Sequence, residues 1–383
     1  MKESDDKMKI VVAVDSFKGS LTSLEAGEAI KEGILKAGAH EVIVKPLADG
    51  GEGTTEAFVT GYGGEFIRIP VQGPLGKEVH AAYGYLRKEK MAIMEMASSS
   101  GITLIREEEK NPMKTSTFGF GEMIIDALEK GCRRFLLGIG GSATNDGGIG
   151  MLTALGFAFL DQDGERVSPD GEGLARIRSV STEHVHPLLS KASFQVACDV
   201  NNPLLGPNGA TSIYGPQKGV TEHTKPLLEE GMRNYADVTA QTIGKDFRNH
   251  PGAGAAGGLG FALLGYLQAE LKEGITLVLE AIGLNEDLQD ADLVFTGEGR
   301  IDAQSAMGKA PGGVAQLAGK YGVKVIALGG SVSRDVDTLN SMGIHACFSI
   351  LNEIVSLEEA MDKEVARKNL IQTAQQIMRL LDQ

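Results

Sequence analysis

The chain has 383 residues, 42% of them hydrophobic, with a formal net charge of −14. That length suits two or more domains with cores of their own, at roughly 100–200 residues each, and the acidic balance argues against a nucleic-acid partner, which needs a basic footprint. No apolar run approaches the roughly 20 residues that span a bilayer, and the isolated Cys132, Cys198 and Cys347 fit a reducing compartment, so the expected setting is cytoplasmic.

The first element is KIVVAVD (Lys9–Asp15), an apolar β-branched run ending at a polar turn, which predicts a buried parallel strand. After the loop SFKGS, Thr22 and Glu25 form a capping-box pattern. Ala26, Ile30, Ile34 and Ala37 then recur at helical spacing, and Gly38 closes the helix. VIVKPLA predicts a second strand, followed by DGGEGT and a helix through TEAFVTG.

The middle of the chain reads differently. FIRIPVQ, VHAAYGYLRKEK and MAIMEMA predict antiparallel strands and turns. A helix over GEMIIDALEKG precedes the strand RRFLLGIG, a glycine-rich loop, and a helix over MLTALGFAFLD. FQVACDV and TSIYG predict further strands, 224–244 a helical block, and GAGAAGGLG the opening of another helix.

The C-terminal part returns to the first grammar. DLVFTG is a strand, EGRIDAQSAMGKAP a loop and GGVAQLAGKYG a helix. The strands VKVIALGG and HACFSI follow, and a long final helix covers 357–381, with Leu370, Ala374, Ile377 and Leu381 on its apolar face. The two ends therefore predict one parallel α/β domain, residues 1–62 with 286–383, interrupted by an inserted mixed α/β domain, residues 63–285.

In an open parallel sheet, ligands bind at the carboxyl ends of strands. Those ends carry Asp15, Ser16, Lys18 and Ser20; Asp49 and Glu52; Glu298, Arg300 and Asp302; and Gly330 and Ser331. In the insert they carry Gly140, Gly141, Ser142, Thr144, Asn145 and Asp146, and also Asp199, Asn201 and Asn202. Carboxylates gathered at strand ends repel one another unless a cation compensates. Mg²⁺ suits this pattern because it takes one or two carboxylates plus substrate phosphates. The alternative is that each acid caps the helix that follows it.

GIGGSATNDGGIG (Gly138–Gly150) offers backbone amides, hydroxyls and an amide side chain at an expected helix N-terminus, where anions are favoured. No lysine follows these glycines, and each Gly-Lys pair in the chain lacks the next Ser or Thr, so a P-loop is excluded. GAGAAG (Gly252–Gly257) matches a dinucleotide fingerprint in spacing only, since RNHP precedes it instead of a strand. A dehydrogenase and a non-enzymatic sensor of small acids are the rival classes. The first lacks the context of its fingerprint, and the second predicts a polar cleft without converging carboxylates.

With these residues in view, the chain resembles the bacterial glycerate kinase family, the type without a P-loop. The resemblance is carried by AVDSFKGSLTSLEA, PLADGGEGT, GIGGSATNDGG, ACDVNNPLLG, GAAGGLGF and FTGEGRIDAQSAMGK, in family order. Val14 and Gly19 depart from the family's usual proline and glutamate and leave Asp15, Ser16 and Lys18 in place. Met1–Lys7 precedes the family's usual start and is expected to be a dispensable tail.

The resemblance implies a split flavodoxin-like domain with the second domain inserted. It also implies ATP-dependent phosphorylation of D-glycerate, in the first place at the 2-hydroxyl to give 2-phosphoglycerate, with 3-phosphoglycerate as the alternative product; separately, the expected assembly is a monomer or homodimer. Phosphoryl transfer needs positioning and charge neutralisation, and position suggests the roles. Gly140, Gly141, Ser142, Thr144 and Asn145, with Gly257 and Gly258, are expected to hold ATP phosphates. Ser16, Lys18 and Arg300 take glycerate or the transferring group, with the last two reaching in from the other domain. Asp49, Glu298 or Asp302 holds Mg²⁺, and Asp199 orients or deprotonates the attacking hydroxyl with Asn201 beside it.

Overall fold

The strands of the computed structural model, in chain order, are β1 (Lys9–Val14), β2 (Glu41–Val44), β3 (Glu65–Gln72), β4 (Glu78–Leu86), β5 (Met91–Glu95), β6 (Arg134–Gly138), β7 (Ala158–Leu160), β8 (Ser179–Ser181), β9 (Ser193–Ala197), β10 (Glu270–Lys272), β11 (Leu293–Ile301), β12 (Lys324–Val332) and β13 (Ala346–Ser349). The structure describes residues 7–48, 54–302, 305, 309–334 and 336–382. The chain forms two compact units, Met1–Gly63 with Gly274–Gln383, and Gly64–Glu273.

The first unit is built on a parallel sheet in the order β13-β12-β11-β1-β2. Counting this unit's strands alone, the order is the flavodoxin-like 2-1-3-4-5, with its topological switch point between β1 and β11. Ile10 to Val14 are fully buried. A strand covered on both faces must be apolar throughout, which is why β1 reads as an unbroken hydrophobic run.

Helix Ser23–Ala37 starts as its sequence predicts. Thr22 Oγ1 accepts from the Glu25 amide at 3.3 Å, and Glu25 Oε2 accepts from the Thr22 amide at 3.1 Å. The C-terminal helix lies against it. A Cβ on Gly33 would come 2.3 Å from the Ile371 carbonyl oxygen, so glycine lets the two helices approach backbone to backbone. The expected single helix over 357–381 is instead two, Leu357–Met361 and Lys363–Leu381. Asp362 separates them because its carboxylate accepts from the amides of Glu364 and Val365, both at 3.0 Å, and starts a new helix. Leu370, Ala374 and Ile377 are buried as expected, whereas Leu381 is exposed at the frayed end.

The second unit holds a six-stranded sheet in the order β10-β9-β6-β5-β4-β3. β3, β4 and β5 pair antiparallel. β5, β6, β9 and β10 pair parallel, so MAIMEMA is antiparallel to one neighbour and parallel to the other. Its core runs through Phe120, Phe135, Leu137, Tyr235 and Phe261.

Two expected elements differ here. TSIYG is helical (Ala210–Tyr214) although its residues favour strands, because tertiary packing overrides weak local preference over five residues. The helix after the glycine-rich loop spans only Ile149–Ala154, and FAFLD turns into β7 beyond Gly156, whose φ of +98° closes the helix.

Candidate active site

In the first unit, the carboxyl ends of β1 and β11 open into a pocket of about 920 Å³ lined by Asp15, Ser16, Lys18, Glu298, Arg300 and Asp302 among others. β1 ends where the Asp15 amide donates to the Gly297 carbonyl at 2.9 Å, which ties the two strand ends together. A tight turn follows. The Phe17 amide donates to Leu21 O at 2.9 Å, and both side chains are buried while Lys18 is exposed. The turn is thus anchored by its apolar residues and presents its polar ones to the pocket.

β11 does not stop at Gly297 as expected. EGRI continues the strand, pairing Arg300 with Ser331 and Ile301 with Val332. Alternation then puts Ile301 in the core and Glu298, Arg300 and Asp302 on the opposite side. Charges interleave there. Arg300 Nε lies 3.2 Å from Asp302 Oδ2, and Lys309 Nζ lies 3.7 Å from Glu298 Oε2. The Arg300 side chain is 74% exposed, so the pair leaves most of its guanidinium open to an anion. Lys309 was not among the expected residues. It stands at the N-cap of helix Ala310–Gly319 and faces the same pocket. Asp49 and Glu52 lie outside the described residues.

Among the described residues no cluster of three or more His, Cys, Asp or Glu is set up to hold a metal. Glu298 and Asp302 are hard oxygen donors lining one pocket, a set that fits Mg²⁺, whose remaining ligands come from phosphate oxygens and water.

In the second unit, the parallel strands β5, β6 and β9 bring three carboxyl-end loops side by side. They carry Ala97–Gly101, the glycine-rich loop, and Asp199 with Asn201. Asp199 and Asn201 are exposed. The glycine-rich loop is pinned to its neighbour, with Ile102 N donating to Gly141 O at 2.8 Å and Ala143 N to Ser100 O at 2.9 Å. Gly140 and Gly141 are exposed, and their amides donate to no group among the described residues.

Further along, the loop serves a different purpose from the one expected. The helix that begins at Ile149 already has an anion at its N-terminus, the protein's own Asp146. That carboxylate is fully buried and accepts from Thr117 N at 2.8 Å, Thr117 Oγ1 at 2.7 Å, Gly148 N at 3.1 Å and Gly150 N at 3.2 Å. Burial pushes its pKa up, against the pull of these four donors. Thr144 and Asn145 are fully buried, and Asn145 Nδ2 donates to Thr211 Oγ1 at 3.0 Å.

Gly257 and Gly258 are likewise buried packing positions. Gly257 has φ +68°, its carbonyl accepts from Gly147 N at 3.0 Å, and a Cβ there would sit 2.0 Å from Thr144 O. These four residues shape the loop from behind, and its exposed face is left to Gly140 and Gly141, with Ser142, only 7% exposed, beside them.

The cation of this loop comes from elsewhere in the unit. Lys218, 2% exposed on the turn Pro216–Lys218, donates from Nζ to Ser142 Oγ at 2.6 Å and to Thr144 O at 2.8 Å. Burial pushes its pKa down to about 7, although the nearby Asp146 charge opposes the shift. Sequence reasoning missed it. A lysine in YGPQKG reads as a solvated turn residue, and no spacing rule links it to a loop so far upstream.

The match to the glycerate kinase family model covers residues 10–382, nearly the whole chain. The chain belongs to the glycerate kinase family. It is 47% identical to a Bacillus subtilis glycerate kinase, with 93% of each chain covered. It is 45% identical to the glycerate 2-kinase of Escherichia coli, over 92% of this chain and 93% of that one. A crystal structure from Salmonella typhimurium, assigned to glycerate kinase 2, superposes with a TM-score of 0.88 at 41% identity, covering 98% of this chain and 99% of the other. Family membership supports the phosphotransferase class over the rival dehydrogenase and sensor readings.

Proposed function

We propose that the chain transfers the γ-phosphoryl group of ATP to the 2-hydroxyl of D-glycerate. The observation that carries this reading is the near full-length similarity to a relative named glycerate 2-kinase, whose name specifies the position. The geometry supplies compatible chemistry. Lys18 and Arg300, cationic and exposed at the switch-point pocket, take the glycerate carboxylate or the transferring group, with the Ser16 hydroxyl beside them.

Glu298 and Asp302, with Asp49 as a further candidate, would hold Mg²⁺. When bound, the ion supplies the charge neutralisation that phosphoryl transfer demands. Gly140, Gly141 and Ser142 hold a phosphate through amides and a hydroxyl. Asp199 orients or deprotonates the attacking hydroxyl, helped by Asn201.

The test follows ADP release from Mg-ATP by the purified chain with and without D-glycerate, and again after chelation of the metal. Release that needs both glycerate and divalent metal is the expected result. Folded protein that releases no ADP in response to glycerate contradicts the reading.

A further inference from the structure

A serine hydroxyl has one proton to donate and two lone pairs. Ser142 Oγ accepts from the Lys218 ammonium, which has no lone pair to offer in return, so the Ser142 proton must be directed to another acceptor. Ser142 adjoins the exposed Gly141, whose amide and that of Gly140 are unspent among the described residues. Three donors therefore neighbour one another, the amides of two exposed glycines and the hydroxyl of the buried Ser142, with a buried positive charge behind that hydroxyl. The Asp146 carboxylate acts on Lys218 through space and is itself occupied by the donors from Thr117, Gly148 and Gly150.

We propose that Lys218 is a positioning residue. It turns the Ser142 hydroxyl outward and backs an oxyanion site made by that hydroxyl and the amides of Gly140 and Gly141. The arrangement does the work of a P-loop lysine, with the cation held behind the loop rather than on its surface. The anion it fits is a phosphate of the nucleotide or the carboxylate of the acid, and this part rests on the kinase reading above.

The test is binding, not turnover. Dissociation constants for ADP and, separately, for D-glycerate are measured by equilibrium dialysis for the wild type, Lys218→Met and Ser142→Ala, from pH 6 to 9, with folding checked by circular dichroism. For at least one of the two anions, each variant should weaken binding about tenfold, the loss of one charge-assisted contact. Wild-type affinity for that anion should fall as the pH rises through neutrality, where the ammonium loses its proton, and Lys218→Met should be flat. A merely structural tie would not produce that pH difference. Among the described residues, the groups that interact with the Lys218 ammonium are Ser142, Thr144 and Asp146, of which Asp146 is titratable.

Loss confined to ADP assigns the site to a nucleotide phosphate, and loss confined to glycerate assigns it to the carboxylate; both support the proposal. Folded Ser142→Ala that binds both ligands as the wild type does overturns it, whatever Lys218→Met does. Wild-type protein that binds neither ligand contradicts the kinase reading as well as the proposal. Wild type that binds both, with both variants unaltered, contradicts the proposal alone.

Discussion

Lys218 Nζ donates to Ser142 Oγ at 2.6 Å across seventy-six positions of sequence. The glycine-rich loop thus has its lysine, folded in from a later turn of the same unit. A buried ammonium is costly to desolvate, and here it is held by one hydroxyl and one carbonyl rather than by a direct carboxylate partner.

That cost has a pH signature. Burial lowers the Lys218 pKa from 10.5 to about 7 in the folded chain. Below pH 7 both states hold the proton, and the folded state carries the full penalty. Between about 7 and 10.5 the unfolded chain binds a proton that the folded chain lacks, so stability rises with pH. The wild type should gain stability relative to Lys218→Met from pH 7 to 10 in urea denaturation. A difference that stays flat or declines contradicts the shift.

Asp146 is the internal anion of the second unit. Removing it leaves Thr117, Gly148 and Gly150 donors buried without an acceptor. Asp146→Ala should destabilise the fold by about 3 kcal/mol or more, from several lost charge-assisted hydrogen bonds. Chemical denaturation with intact m-values measures it, and a loss below about 1 kcal/mol would refute the accounting.

Much of this was legible in the sequence, for physical reasons that differ by element. β1, β11 and β12 declared themselves because strands covered on both faces are apolar without interruption. Thr22 and Glu25 announced a helix start because a capping box is a local hydrogen-bond pattern. The carboxyl-end rule pointed to Asp15, Lys18, Glu298, Arg300 and Asp302 at separate strand ends, and these line one pocket of the first unit.

Other features depend on contacts that no local pattern encodes. Lys218 sits in a turn without periodicity, and its burial depends on the loop it supports. Asp146 was visible as one more acid in a loop, but its four donors come partly from Thr117, far upstream. Gly257 and Gly258 looked like phosphate binders because a glycine demanded by packing and one demanded by a ligand are the same letter.

Gly257 gives a direct check on the packing role. Alanine there must adopt φ +68° and place a methyl 2.0 Å from the Thr144 carbonyl. Gly257→Ala should lower stability by roughly 2–4 kcal/mol, combining left-handed strain with a backbone clash. Thermal unfolding close to the wild type would show that the loop can move aside and that this packing is not required.

The Arg300 and Asp302 pair separates stability from function. With Arg300 74% exposed, the ion pair contributes little to the fold. Asp302→Asn should change unfolding free energy by less than about 1 kcal/mol. The same change should reduce kcat by roughly a hundredfold or more if the carboxylate holds charge at the reacting centre. Unaltered kcat at saturating ATP, glycerate and Mg²⁺ would remove Asp302 from the active site.

The most direct measurement of the central claim identifies the product. The chain is incubated with Mg-ATP and D-glycerate, and enolase is added to report phosphoenolpyruvate by absorbance. A glycerate-dependent enolase signal is the predicted result, since enolase dehydrates the 2-phosphate directly. ADP release without that signal would contradict transfer to the 2-hydroxyl and point to the 3-phosphate instead.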